Sequence, residues 1–128
     1  MNHFKYCLLF VAFTVFLLPA GAQTEFSTPA GDLIHCGSDT EIEIENPLSQ
    51  NKKITLTPQD NSRYAHLRIT NKEGVTHYFA KTKIFFDFET EELLMESEAR
   101  VKKGEDYIYG PEKIHYLPQN NKVLIVGT

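Results

Sequence analysis

Tryptophan is absent from the 128 residues, and there are only two cysteines. Cys7 falls in an apolar run near the start, which leaves Cys36 alone in the rest of the chain. No intrachain disulfide can therefore brace it. Cys36 reads as a buried or half-buried small residue, with a nucleophilic or dimerising thiol as the alternative. Gly-x-Ser-x-Gly, phosphate-loop and Cys-x-x-Cys motifs are missing as well, so no familiar nucleophile, phosphate cradle or redox pair is present. His35, His66, His77 and His115 show no His-x-x-x-His spacing; His66, His77 and His115 read as outward-facing, and His35 and Cys36 take opposite faces of one strand. The acids of Asp87-Phe88-Glu89-Thr90-Glu91-Glu92 read as a solvated turn. The expectation is a non-enzyme without metal or cofactor.

Long apolar runs are scarce too. The one candidate is CLLFVAFTVFLL at residues 7–18. As a helix it rises about 18 Å at ~1.5 Å per residue, short of a ~30 Å hydrocarbon core. Asn2, His3 and Lys5 precede it, and Pro19-Ala20-Gly21-Ala22 follows. That order reads as a cleavable export signal over residues 1–22, cut before Gln23, with one domain over residues 23–128 and no membrane span after cleavage. Losing Lys5 and no acid takes Lys+Arg from 13 to 12 against 17 Asp+Glu, a net charge of −5. A face for nucleic acid needs the opposite balance.

What the remainder does contain is alternation. Glu41-Ile42-Glu43-Ile44-Glu45 sets isoleucines on one face and glutamates on the other. Lys53 to Thr57 and His66 to Thr70 repeat the pattern, and Leu93, Met95, Ser97, Ala99 and Val101 continue it. Such a period marks half-buried strands. Turn residues separate them, as in Asn46-Pro47, Asn71-Lys72-Glu73-Gly74 and Lys103-Gly104-Glu105-Asp106. Glu89 to Ala99 has helix propensity, but its alternation and its β-rich surroundings outweigh that.

A shift of 30 residues superposes the second half on itself. Gly74 falls on Gly104, Ala80 on Gly110, Ile84 on Ile114, Phe86 on Tyr116, Leu93 on Val123 and Ser97 on Gly127. A weaker third copy sets Lys53-Ile54-Thr55-Leu56 on Lys83-Ile84-Phe85-Phe86. Units this small bury their apolar face only by stacking, which leaves open ends. The last strand, Lys122 to Val126, is aliphatic on both faces. Either another part of the chain covers it or it pairs with another chain.

KIFFDFETEELLMESEARVKKGEDYIYGPEKIHYLPQNNKVLIVGT, from Lys83 onward, resembles the OstA-like (LptA) family of periplasmic lipopolysaccharide-transport proteins. Ile84 and Phe86 take the family's aromatic-strand places, Leu93 and Met95 its aliphatic places, and Val101 and Gly104 follow. Ile114 and Tyr116, then Val123, Ile125 and Gly127, repeat the pattern, while Ser97 stands where the family usually has Gly. The resemblance covers about residues 74–128. It implies an all-β, open, twisted, jelly-roll-like sandwich in the periplasm. Acyl chains of lipopolysaccharide or a related glycolipid would lie between the sheets, and copies or related domains would stack by strand pairing.

On that expectation the groove is formed by Ile54, Leu56, Leu67, Ile69, Ile84, Phe86, Leu93, Met95, Val101, Ile108, Ile114, Tyr116, Val123 and Ile125, whose parity agrees across the repeat. The assembly edge is Val123, Leu124, Ile125 and Val126. Arg100, Lys102, Lys103, Lys81 and Lys83 would either meet lipid phosphates at the rim or solubilise strand ends. The competing expectation is an exported protein-interaction or inhibitor module that uses the same edges.

Overall fold

A computed structural model describes residues 15–18, 24–37, 40–60 and 63–127. Apart from Val15–Leu18, the expected signal over residues 1–22 lies outside the described residues, as does its cleavage point before Gln23. The strands are β1 (Val15–Leu18), β2 (Thr24–Ser27), β3 (Leu33–Cys36), β4 (Thr40–Glu45), β5 (Lys53–Pro58), β6 (Ala65–Asn71) and β7 (Gly74–Ala80). They continue as β8 (Lys83–Asp87), β9 (Leu93–Glu96), β10 (Ala99–Lys103), β11 (Asp106–Gly110), β12 (Lys113–Leu117) and β13 (Lys122–Val126). One short 3₁₀ turn, Pro118–Asn120, precedes β13.

The chain is an all-β sandwich of two antiparallel sheets. Sheet A runs β1-β4-β5-β8-β9-β12-β13, and sheet B runs β11-β10-β7-β6-β3-β2. Hairpins alternate between them: β4-β5, β8-β9 and β12-β13 join sheet A, and β6-β7 and β10-β11 join sheet B. The 30-residue repeat thus equates β7, β8 and β9 with β11, β12 and β13. The third copy does not hold, because the topology makes β4, not β5, the counterpart of β8.

Alternation becomes layering through register. On the inner face of sheet A, one row runs Ile44, Ile54, Phe86, Leu93, Tyr116, Val123, and a second runs Ile42, Leu56, Ile84, Met95, Ile114, Ile125. Sheet B answers with Cys36, Leu67, Tyr78, Val101 and Ile108. Removing one of the sealed side chains, such as Leu67, would cost about 2–5 kcal/mol. At one corner Phe26, Phe86 and Phe88 pack edge to face, with the Lys52 ammonium 5.1 Å from the Phe88 ring centre. Cys36 is fully buried, and burial pushes its thiol up to about 12, so it is a packing residue.

The alternation from Leu93 to Val101 is not one strand. Ser97 and Glu98 both have positive φ, 71° and 49°, and carry the chain from β9 in sheet A to β10 in sheet B. Period two survives the crossing because both strands present alternate residues to the same interior.

Candidate functional site

Exposure along the inner rows shows where the sandwich opens. Ile54, Leu56, Ile84 and Met95 are wholly sealed, whereas Tyr116, Val123 and Ile125 are 39%, 48% and 46% exposed. Ile108, at the end of the sheet B row, is 41% exposed. The sheets therefore pack closely around β4-β5 and β6 and part at the β10-β11 and β12-β13 hairpins. Between them lies a groove of about 430 Å³. Its floor is made by Ile69, Tyr78, Phe86, Leu93, Met95 and Ile114, and its open walls by Val101, Ile108, Tyr116 and Val123.

Nine of the expected groove residues line it: Ile69, Phe86, Leu93, Met95, Val101, Ile108, Ile114, Tyr116 and Val123. Ile54, Leu56, Leu67 and Ile84 do not. They share the same face but sit where the sheets have already closed, so they are core. Ile125 is exposed on the inner face beyond the groove. Of the expected edge, Val123, Leu124 and Ile125 are exposed and Val126 is half-buried.

The rim is polar and comes from four turns: Asp32 after β2, Asn71 and Glu73 between β6 and β7, Glu91 between β8 and β9, and Lys103 and Asp106 flanking the β10-β11 turn. The Glu91 and Asp32 carboxyl groups approach each other across the two sheets. Burial first, and then the charge and hydrogen bond of Asp32, hold the Glu91 carboxyl above the usual carboxylate range. Burial also pushes the Tyr78 phenol up to about 12, aided by Tyr116, Asp32 and Glu91, although a hydrogen bond to Thr76 opposes it. Asp32 and Glu91 lie 59 positions apart on hairpins of different sheets, and nothing in the sequence pattern pairs them.

The expected phosphate-meeting cations are mostly elsewhere. Lys103 alone lines the groove, and its Nζ is 3.7 Å from Glu73. Arg100 and Lys102 alternate to the outer face of sheet B, Lys83 pairs with Glu96 at 3.7 Å, and Lys81 lies over the Tyr64 ring. The turn from Asp87 to Glu92 is solvated only in part, with Glu89 exposed and Thr90, Glu91 and Glu92 half-buried. Asp87 is buried, and its Oδ1 accepts the backbone N–H of Glu89 at 2.8 Å, which shapes the β8-β9 turn. No group of three His, Cys, Asp or Glu side chains suited to a metal ion occurs among the described residues.

The histidines do face outward, yet two of them meet. His66 Nε2 lies 3.0 Å from His77 Nδ1, and the His66 ring stacks on Phe79 at 4.6 Å. Burial, with the like charges of His77, Arg68 and His35, holds the His66 imidazole down to about 4. The β6-β7 turn brings the pair together, so spacing along the chain gave no sign of it. A second, shallower depression of about 870 Å³ lies between the β6-β7 and β10-β11 turns. Glu73, Gly74, Lys102, Lys103, Gly104 and Glu105 give it a polar wall, which offers an apolar ligand little.

Compared with protein-family models, with curated proteins and with solved structures, the chain matches none.

Proposed function

We propose that the protein is an exported, non-enzymatic lipid-binding and bridging module of the lipopolysaccharide-transport type, with an OstA-like, jelly-roll-like sandwich that works in the periplasm. The observation that carries this reading is the graded opening of one interior. The same registered rows that form a sealed core at β4-β5 form an apolar groove at β12-β13. Each methylene taken from water into such a groove contributes about 0.8 kcal/mol. A groove left open along one side can accept chains of different length and release them. Lipopolysaccharide or a related glycolipid is the ligand class, with acyl chains inside and the polar head at the rim of turns.

Bridging follows from the edges. β13 and β11 both end their sheets at the open end, and Val123, Leu124 and Ile125 are exposed there. At the other end, β1 covers β4 in the register Val15 to Glu45. Cleavage before Gln23 removes β1 and leaves β4 as a second free edge of sheet A. A chain with β13 at one end and β4 at the other pairs head to tail, with other copies or with related domains, and so propagates as a filament.

Mass spectrometry of the protein taken from its own envelope under mild conditions tests the reading. A co-purifying acylated glycolipid is the expected result. A lipid-free protein bound instead through β13 to another protein would favour an interaction or inhibitor module.

A further inference from the structure

The groove fixes what the ligand's tail is made of, and its rim bears on the head. Among the described residues, four carboxyl groups, Asp32, Glu73, Glu91 and Asp106, stand around the opening against one cation, Lys103, which is already paired with Glu73. Arg100 and Lys102, the next basic residues along the chain, point away from the groove to the outer face of sheet B. The rim is therefore acidic where a phosphorylated head would need cations. Asp32 and Glu91 meet directly above an apolar floor, beside the Tyr78 and Tyr116 rings, which also line the groove. Two carboxylates in contact repel each other, and a cation between them relieves that repulsion.

We infer that the groove takes an amphiphile whose head carries an ammonium group, seated between Asp32 and Glu91, and discriminates against phosphate-headed amphiphiles. This rests on the reading of the groove as an acyl-chain site, and it narrows the ligand there to a related lipid whose rim-facing head bears an amine in place of the phosphate of lipopolysaccharide. An ammonium N–H₃⁺ seated there donates to both carboxylates, and charge-assisted hydrogen bonds of that kind are the strong ones. The alkyl chain then runs down between Val101 and Tyr116 onto Phe86 and Leu93. A phosphate head on the same chain would be placed against Asp32, Glu91 and Asp106, with only Lys103 to answer it. The apolar contacts hold any single-chain amphiphile, and the carboxyl pair decides among heads.

The test is displacement of a fluorescent acyl probe by three ten-carbon amphiphiles used below their micelle concentrations: decylammonium, decyl phosphate and a neutral decyl glycoside. Decylammonium is expected to compete about tenfold or more better than decyl phosphate, with the glycoside between them, and salt should narrow the gap. Asp32→Asn combined with Glu91→Gln should bring the three together while the glycoside competes as before. Equal competition by all three in the parent, a preference for the phosphate, or a preference that the double variant keeps would overturn the inference and leave the groove standing. Failure of the probe and of every amphiphile to bind would instead remove the acyl-chain site itself.

Discussion

Ser97 and Gly127, one repeat apart, both adopt positive φ, 71° and 93°, at the point where the chain leaves sheet A after β9 and after β13. The geometry therefore asks for glycine at both places, and Ser97 carries the cost of a Cβ there. Its hydroxyl is partly compensated by the Thr82 side chain, whose Oγ1 lies 2.7 Å away. Ser97→Gly should leave stability within about 0.5 kcal/mol of the parent in urea unfolding. Ser97→Val, with a β-branched side chain at positive φ, should lose about 2 kcal/mol or more.

Gly110 answers to a different constraint. A Cβ built there would stand 2.7 Å from the Lys113 carbonyl oxygen and 2.7 Å from the Ile114 side chain. Its counterpart one repeat earlier, Ala80, does carry a Cβ and is fully buried. Gly110→Ala should therefore destabilise by about 1–3 kcal/mol through overpacking. The cost should appear as a lower urea midpoint with an unchanged slope.

The His66 imidazole is held down to about 4 against an ordinary 6.5. In that window the unfolded chain binds a proton that the folded chain refuses, so stability falls as pH drops from about 6.5 towards about 4. After discounting for partial exposure, the effect is on the order of 1 kcal/mol. Glu91 has the opposite sign. Its raised folded value favours the protonated form, a contribution present below the ordinary carboxylate value and lost as pH rises through the raised one. His66→Phe should remove the loss between pH 6.5 and 4, as read from urea midpoints at several pH values, and should leave the Glu91 contribution in place.

Edge pairing makes its own prediction. The Val126 carbonyl accepts from Glu112 N–H, so Val126 and, by alternation, Leu124 turn their backbone groups towards β12. Val123 and Ile125 turn theirs to the open edge. Ile125→Pro should thus disperse a concentration-dependent oligomer and keep the fold, whereas Leu124→Pro should damage β13 itself. Sedimentation at rising concentration reads the first effect, and thermal unfolding reads the second. A parent that stays monomeric, or an Ile125→Pro variant that assembles as the parent does, would rule out pairing through this edge.

Much of the sandwich was legible because period two and register are one fact seen twice. Ile42 and Ile44, or Ile84 and Phe86, alternate in sequence and so share a face. The 30-residue repeat likewise carried the equivalence of β8 with β12 and β9 with β13. Sequence could not say where along a row the sheets part. Ile54 and Val123 belong to one row, yet one is sealed and the other 48% exposed. That depends on the spacing between sheets. Nor could it show the Asp32–Glu91 contact or the His66–His77 pair, which exist only once hairpins are set side by side. Ser97 hid a corner, because an alternating pattern does not register a change of sheet.

The most direct test of the acyl-chain groove is photolabelling with a diazirine-bearing alkyl chain, followed by peptide mapping. Ile108 is well placed for the control, since at 41% exposure an aspartate there is compatible with folding, whereas Phe86, at 2%, is not suited to one. Label is expected on Val101, Ile108, Tyr116 and Val123, and is expected to be lost in Ile108→Asp with the β-type circular dichroism unchanged. Label spread over outer-face residues such as Leu33 and Leu124, or undiminished in folded Ile108→Asp, would mean that the groove does not hold the chain.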